Sequence, residues 1–329
     1  MLNIFASKDD KLIEITFEDA ADQTLRDVIW FDMLNPTVDE EKLVEKLTGI
    51  DIPTRDEIVE IEPSSTMYIE QDVAYTTATL VTQSDTDSPS IHPVSFILTG
   101  RTLVTLRYSD PKAISIYQAK IKTGHISGID GRHALVDLLE IIIGRCADAL
   151  EKISFRTDDI AQQIFRRPVA NDPSVTKPVD LKKILQDNGM AGDFTAKLRQ
   201  SLVTLSRLIT FIEQTTFYKG RHEELSRLIQ MYRDISSLRD YAAFLSDKLM
   251  FLLDATLGMV NIEQNEIIKI FSVAAVIFLP PTLIASIYGM NFHNIPELSW
   301  HMGYPLALGA MVLSAYVPYR FFKKKGWLQ

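Results

Sequence analysis

The sequence predicts an α/β domain followed by long helices, the last two of which form a hairpin in a membrane. Three observations support this prediction. Up to about residue 108 the chain consists of short apolar or β-branched runs separated by turn-forming residues. From about Gly131, apolar residues recur at spacings of three and four. Between Ile270 and Tyr319 the only formal charge is Glu297.

Residues 1–130 are expected to form a cytoplasmic α/β domain. Its strands are predicted at residues 12–17, 28–33, 73–82, 94–98 and 102–106. Its helices are predicted at residues 38–47, 54–61 and 113–123. Thr37 precedes Asp39, Glu40 and Glu41, the pattern of an N-cap followed by acids in the first helical turn, so a helix should begin there.

Residues 131–220 are expected to form a helical hairpin. The first helix begins near Gly131 and is broken within residues 170–179, which contain Pro173 and Pro178. The second covers about residues 179–217, with an interruption near Asn188-Gly189 and an end at Lys219-Gly220.

Residues 221–292 are predicted to form one stalk helix that continues into the first transmembrane helix, about 100 Å long at about 1.5 Å per residue. Apolar residues at spacings of three and four form a bundle-like seam along its first part. The seam comprises Leu225, Leu228, Tyr232, Ile235, Leu238, Ala242, Leu245, Leu249, Leu252 and Thr256. The sequence shows nothing obvious to cover this seam, which suggests an oligomer around a central axis.

Two apolar segments, residues 270–292 and 303–322, are each long enough to cross a bilayer as a helix. Residues 293–302 join them as an extracytoplasmic loop, and residues 323–329 form a basic tail. Arg320 and the lysines at 323–325 predict a cytoplasmic flank, so both termini should face the cytoplasm. Residues 1–15 lack the apolar core of a signal peptide. Pro280-Pro281 should bend or loosen the first span.

The charge of the chain narrows the functional classes. The 34 Lys and Arg residues and 43 Asp and Glu residues give a formal net charge of −9. Four of these basic residues and one acid lie at or after position 270, which leaves −12 for the residues before it. This negative charge argues against a nucleic-acid partner and favours the attraction of cations.

No enzyme motif is found. The single cysteine, Cys146, excludes an internal disulfide and a cysteine-rich metal site. His222-Glu223-Glu224 begins like a zinc-protease helix, but Ser226 stands where the second histidine is required. We therefore expect neither catalysis nor an organic cofactor.

The chain resembles the CorA family of magnesium channels. The mark of that family is Gly-Met-Asn at the end of the first of two transmembrane helices, here Gly289-Met290-Asn291. The resemblance extends over nearly the whole chain, because further similar segments are spread along it. They are residues 30–41, 94–98, 265–266, 281–285, 295–298 and 303–305, together with the basic tail. The chain departs from the family at Ile295, where the family often has Met, which leaves the metal preference open.

The resemblance implies a homopentameric channel in the cell (inner or plasma) membrane. Its transported and regulatory ion would be Mg²⁺, with Co²⁺ and Ni²⁺ as further ions. Gly289, Met290 and Asn291 would form the selectivity filter. Because Mg²⁺ dehydrates reluctantly, a ring of neutral amide oxygens can hold the hydrated ion through its waters. The alternative is a helix C-cap, since Gly and Asn both favour the left-handed conformation there.

Counting back from Asn291 at helical spacing gives one stripe, which carries the pore in this family. It comprises Asn265, Ile268, Phe271, Ser272, Ala275, Leu279, Thr282 and Ser286. Thr282 and Ser286 offer hydroxyls, whereas Leu279 and Phe271 would form apolar constrictions that gate by dewetting. The alternative is that these side chains face lipid or pack against helices.

Six further acids are candidates for binding cations. Repeated around the mouth, Glu297 would concentrate cations, unless it is only a solvated carboxylate. Asp240, Asp247 and Asp254 recur every seven residues on one helix face and are either a solvated face or regulatory metal ligands. Similar interface carboxylates sense cytoplasmic Mg²⁺ in the family, and Asp85 or Asp87 could be their partners.

Two other functions compete with a magnesium channel. One is a zinc transporter of the related ZntB branch, against which the Glu297 loop argues. The other is a non-conducting, membrane-anchored scaffold, against which the polar residues in line with Asn291 argue.

Overall fold

The computed structural model describes residues 1–8, 11–16, 28–59, 66–86, 88–124, 130–165, 180–291 and 295–327. The chain divides into two compact units, Met1–Leu253 and Asp254–Gln329.

The first unit contains a seven-stranded sheet in the order β2-β1-β3-β7-β6-β5-β4. Its strands are β1 Leu2–Lys8, β2 Lys11–Ile15, β3 Val28–Leu34, β4 Met67–Glu70, β5 Val73–Thr82, β6 Ser90–Leu98 and β7 Leu103–Arg107. β3 and β7 run parallel, and the other neighbours are antiparallel. Five strands match the predicted runs. The sequence analysis missed β1 and β4, because β1 mixes polar and apolar residues and β4 has only four residues.

The helices are α1 Val38–Thr48, α2 Arg55–Val59, α3 Lys112–Lys122, α4 Gly131–Phe165, α5 Leu181–Glu213, α6 His222–Tyr288 and α7 Gly303–Lys324. Short 3₁₀ helices cover Thr216–Tyr218 and Pro296–Ser299. The predicted start of α1 is confirmed by a capping box. The Glu40 N–H donates to Thr37 Oγ1 at 3.3 Å, and the Thr37 N–H donates to Glu40 Oε2 at 2.9 Å.

Adjacent residues of the central strands point into two different apolar cores, as the alternation of a strand requires. In β3, Trp30 joins the core shared with α3, α4, α5 and α6, whereas Phe31 joins the core shared with α1 and α2. In β6, Phe96 and Ile97 divide in the same way. The sheet is therefore buried on both faces, and the first unit is an α/β/α sandwich extended by long helices.

The apolar seam of α6 is buried within the chain. Leu228, Ile235, Ala242 and Leu245 are at most marginally accessible and belong to the same core as residues of α4 and α5. The prediction that nothing in the chain covers this seam is therefore wrong, because α4 and α5 pack against it. The seam as such gives no argument for an oligomer.

The predicted interruption of α5 at Asn188-Gly189 is also wrong, since the helix continues through both residues. Asn188 is 4% exposed, and its Nδ2 donates to the backbone oxygen of Leu249 at 3.0 Å. A buried hydrogen bond to α6 thus stabilises a residue that ordinarily favours caps and turns. The predicted proline-containing break at residues 170–179 lies outside the described residues.

A buried ion pair joins the two parallel strands. Arg107 of β7 donates from Nε and a terminal nitrogen to the two carboxylate oxygens of Asp32 in β3, at 2.9 and 2.8 Å. Thr105 Oγ1 and Gln118 Nε2 also donate to this carboxylate, at 2.8 and 2.7 Å. Asp32 is 0% exposed, so this set of bonds offsets the cost of removing the charge from water.

The second unit contains the end of α6, the 3₁₀ helix Pro296–Ser299 and α7. Among the described residues, one helix, α6, is both long and apolar enough to cross a membrane. The second predicted span coincides with α7, whose tyrosines, prolines and basic residues lower its mean hydropathy. Its position across a bilayer stays a prediction.

Candidate ion pathway

The Gly-Met-Asn sequence directly follows the last helical residue of α6. The Gly289 N–H donates to the Ala285 oxygen at 2.9 Å, and the Met290 N–H donates to the Ile287 oxygen at 3.3 Å. These bonds terminate the helix. Neither Gly289 nor Asn291 is among the described residues with positive φ, so the left-handed cap that was the alternative interpretation does not form at either.

Space rather than φ favours glycine at position 289. A Cβ at this position would lie 3.1 Å from the Ala285 oxygen, which is tighter than most such contacts. A larger residue would require the neighbouring atoms to shift by a few tenths of an ångström. Gly289 therefore helps to fix where Asn291 leaves α6.

Asn291 is exposed, and its amide group forms no hydrogen bond with any part of the chain that the structure describes. A neutral side chain with a free carbonyl oxygen and a free NH₂ group can bind the waters of a hydrated ion. Met290 beside it is 49% exposed.

The stripe that leads back from Asn291 is exposed along its whole length in the single chain. Its large apolar members, Ile268, Phe271 and Leu279, are 61%, 71% and 66% exposed. The small and polar members are exposed as well; they are Asn265, Ser272, Ala275, Thr282 and Ser286. On another face of the helix, Val273 is buried at 3%. The chain itself thus leaves the stripe uncovered, as it does most of α6 in the second unit.

Two hydroxyls of the stripe have a fixed orientation. Ser272 Oγ donates to the Ile268 oxygen at 2.8 Å, and Thr282 Oγ1 donates to the Phe278 oxygen at 2.7 Å. Because each hydroxyl hydrogen is used by the helix backbone, the hydroxyl oxygens are left as acceptors. Acceptors suit the water molecules around a cation, which point their hydrogens outwards.

An aromatic cavity of about 340 Å³ lies between the end of α6 and the start of α7. Tyr288, Trp300 and Tyr304 line it together with Gly289 and Gly303. The sequence analysis did not find this cavity. Glu297 lies in the 3₁₀ helix that precedes α7, and the structure describes only its backbone. Its predicted role of concentrating cations at the pore mouth is therefore untested.

The basic tail folds back beside the beginning of the predicted span. Lys269 Nζ lies 5.3 Å from the centre of the Trp327 ring, and that ring stacks on Phe322 at 5.4 Å. The backbone N–H of Trp327 donates to the backbone oxygen of Phe322 at 3.0 Å. The residues just before the first apolar segment and those just after α7 therefore meet.

The predicted regulatory acids are not gathered into a metal site in the single chain. Asp240, Asp247 and Asp254 are exposed on α6, and no group of three His, Cys, Asp or Glu residues suited to a metal occurs in the described part of the chain. Asp87 lies outside the described residues.

Asp85 is surrounded by bases of its own chain. Its carboxylate lies 2.6 Å from Lys112 Nζ, 3.5 Å from Arg145 and 3.9 Å from Lys152. The hydrogen bond from Lys112, with the charges of all three bases, lowers the pKa of Asp85. A divalent ion at Asp85 would have to displace these cations, a competition that the sequence alone could not reveal.

Comparison with known proteins identifies the family. The model of the CorA-like Mg²⁺ transporter protein family matches residues 26–324. The chain is 32% identical over 328 residues to "Magnesium transport protein CorA" of Pasteurella multocida, and the match covers 100% of both chains.

Solved structures share the fold. The complete structure of the CorA magnesium transporter from Methanocaldococcus jannaschii matches with a TM-score of 0.75 at 18% identity, covering 100% of this chain and 99% of that one. The ZntB cytoplasmic domain from Vibrio parahaemolyticus matches with a TM-score of 0.56 at 10% identity, covering 79% and 97%. Because the matching family consists of transporters, the match also confirms the prediction that the protein is not an enzyme. On the full-length match and the shared fold, this chain belongs to the CorA-like Mg²⁺ transporter family.

Proposed function

We propose that this protein is a passive divalent-cation channel, carrying Mg²⁺ and also Co²⁺ and Ni²⁺, and that Asn291 selects the hydrated ion. The observation that carries the proposal is the exposed stripe of α6 that ends at the free amide of Asn291. Copies of this stripe around an axis make a pore that narrows at Leu279 and Phe271 and ends in a ring of amides. Amide oxygens hold hydrated Mg²⁺ without removing all its waters.

The chemistry of the stripe favours Mg²⁺ over Zn²⁺. Its polar groups are the amides of Asn265 and Asn291 and the hydroxyls of Ser272, Thr282 and Ser286. Oxygen donors suit Mg²⁺, whereas Zn²⁺ sites are built mainly from nitrogen and sulfur ligands. The ZntB likeness concerns the fold alone and does not favour a zinc transporter.

The oligomer, a homopentamer in this proposal, is supported by the outward face of α6 in the first unit. Tyr241 and Phe244 are 38% and 56% exposed and stack with ring centres 6.2 Å apart. Phe251 is 60% exposed and stacks on Phe165 of α4 at 6.1 Å. Such a row of exposed aromatic rings is typical of a protein–protein interface.

The contact between Lys269 and Trp327 supports a hairpin with both ends on one side of the membrane. The lysines of the tail make that side the cytoplasmic one. In this orientation the acidic first unit lies in the cytoplasm of the cell, beneath its inner membrane, where it can respond to cytoplasmic Mg²⁺.

The proposal is tested by Mg²⁺ flux into proteoliposomes. Asn291→Ala removes the amide without disturbing apolar packing, so we expect it to abolish Mg²⁺ uptake while the oligomer stays assembled. His301→Ala, which changes another exposed polar residue of the outer segment, is the matched control and should keep wild-type flux. Normal uptake by a well-assembled Asn291→Ala protein would contradict the selectivity assignment. Zn²⁺ flux exceeding Mg²⁺ flux in the wild type would replace Mg²⁺ by Zn²⁺ as the substrate.

A further inference from the structure

The first unit contains an open pocket of about 620 Å³ that the ion pathway does not use. It lies where the edge of the sheet faces α5. β4 pairs with β5 only from Thr76 to Val73, so among the described residues the rest of β5 has no strand on that side. A side chain of α5 takes the place of a neighbouring strand there: Thr204 Oγ1 accepts a hydrogen bond from the backbone N–H of Thr79 at 3.0 Å. The pocket opens beside this bond.

One face of α5 lines the pocket with donors. Arg199, Gln200 and Arg207 all border it and are all exposed. In the part of the chain that the structure describes, none of the three forms an ion pair or hydrogen bond with protein. Of the ten other arginines of this unit that the structure describes, six lie against carboxylates, namely Arg107, Arg132, Arg145, Arg156, Arg221 and Arg227.

The charge of the described pocket lining is opposite in sign to the net charge of the residues before position 270. The described lining contains two arginines and no Asp or Glu, although the residues before position 270 carry −12 in total. Free guanidinium groups in a concave site bind phosphate or carboxylate oxygens through paired hydrogen bonds. An anion is therefore the ligand that this lining recognises.

The spacing and the opposite wall indicate what kind of anion fits. Arg199 and Arg207 are eight residues apart, or about 12 Å along the helix axis, so a chain of linked phosphates reaches both more readily than one compact ion. The opposite wall presents apolar groups from Met67 of β4, Ile91 of β6 and Ile58 of α2. Ligand pockets of about 300–1,000 Å³ combine such apolar walls with a few polar anchors.

We infer that this pocket binds a nucleoside polyphosphate, with the phosphates on Arg199 and Arg207 and the base against the apolar side chains of the sheet. The site lies wholly within the first unit and does not depend on the proposed ion selectivity. It gives the cytoplasmic unit a second class of ligand beside divalent cations.

The test is isothermal titration calorimetry of the full-length protein in detergent with magnesium-free ATP, inorganic triphosphate and adenosine. We expect ATP to bind the wild type. Each lost arginine should weaken binding about tenfold, so Arg199→Gln with Arg207→Gln should weaken it about a hundredfold. Arg233→Gln with Arg239→Gln, two exposed arginines of α6, is the matched control and should leave ATP affinity unchanged.

Three results would overturn the inference. The first is the absence of ATP binding to the wild type. The second is an unchanged ATP affinity in the Arg199→Gln, Arg207→Gln protein. The third is triphosphate binding as tight as ATP binding, which would remove the nucleoside from the proposal. Weaker binding of triphosphate and none of adenosine would support it.

Discussion

The two units of this protein differ in what they bury. In the first, Trp30, Phe31 and Phe96 are 0% exposed, and even the Asp32 carboxylate is fully buried with its partners. In the second, the described side chains include only two buried ones, Thr256 and Val273. A unit with so much exposed apolar surface would be unstable in water, whereas lipid and neighbouring copies of the chain can cover that surface. The apolar core of the first unit thus forms within a single chain, whereas the apolar surface of the second unit is left for its surroundings to cover.

The largest expected effect tests how much the buried ion pair stabilises the core of the first unit. Asp32→Ala leaves the Arg107 guanidinium buried without its carboxylate, and breaking such a pair costs about 3–5 kcal/mol of unfolding free energy. Denaturant unfolding of the full-length protein, followed by the signal of the first unit, measures this cost. Glu151→Ala, at an exposed position of α4, should change the unfolding free energy by less than about 0.5 kcal/mol.

A cost below about 1 kcal/mol for Asp32→Ala would contradict the account of the buried pair. The double change Asp32→Ala with Arg107→Met removes both charges and should recover much of the lost stability, since apolar replacements of buried ion pairs are often neutral.

The next effect tests whether the exposed stripe of the second unit faces a pore. Leu279→Asp places a charge in the proposed apolar constriction, so water should enter it and basal Mg²⁺ conductance should rise several-fold. Phe271→Asp should act in the same direction. Leu279→Ala keeps the site apolar and is the control. Unchanged conductance in both aspartate variants, measured in planar bilayers, would place the pore on another face of α6.

The smallest expected effect concerns the acidic surface of the first unit and the beginning of the second. Divalent ions between subunits would offset the repulsion of bodies that carry −12 each and so favour a closed state. Replacing Asp240, Asp247 and Asp254 by Asn should therefore weaken the protection that Mg²⁺ gives against protease, and reduce channel closure at high Mg²⁺.

A protein with Glu213→Gln, Glu223→Gln and Asp234→Asn loses the same number of exposed acids outside the seven-residue spacing and is the control. If the Asp240, Asp247 and Asp254 variant keeps wild-type protection, these acids are a solvated face and the sensor lies elsewhere. Asp85 is the less suitable alternative, because Lys112 already occupies its carboxylate.

Periodicity predicted the elements that depend on local pattern. The starts of α4, α5 and α6 and the end of α5 lie within a few residues of those expected, since long apolar repeats leave little choice. The buried face of α6 was predicted less accurately, because spacings of three and of four residues both fit its sequence. The predicted seam included Tyr232, which is 44% exposed, whereas the structure buries its neighbour Met231.

Contacts between distant residues were beyond the reach of the sequence pattern. Asp32 and Arg107 are 75 residues apart and meet only because β3 and β7 are parallel neighbours. The bases around Asp85 and the unpaired arginines of the α5 pocket likewise depend on tertiary packing. The Gly-Met-Asn motif could be recognised because its residues are consecutive in the chain.

The central claim is that copies of the α6 stripe surround an ion path that ends at Asn291. The most direct test is an experimental structure of the assembled protein in a lipid environment with Mg²⁺. We predict five copies with the Asn291 amides facing the axis, around an ion that keeps its water ligands at about 2.0–2.1 Å. Asn291 side chains that face lipid, or an axis lined by another face of α6, would contradict this account.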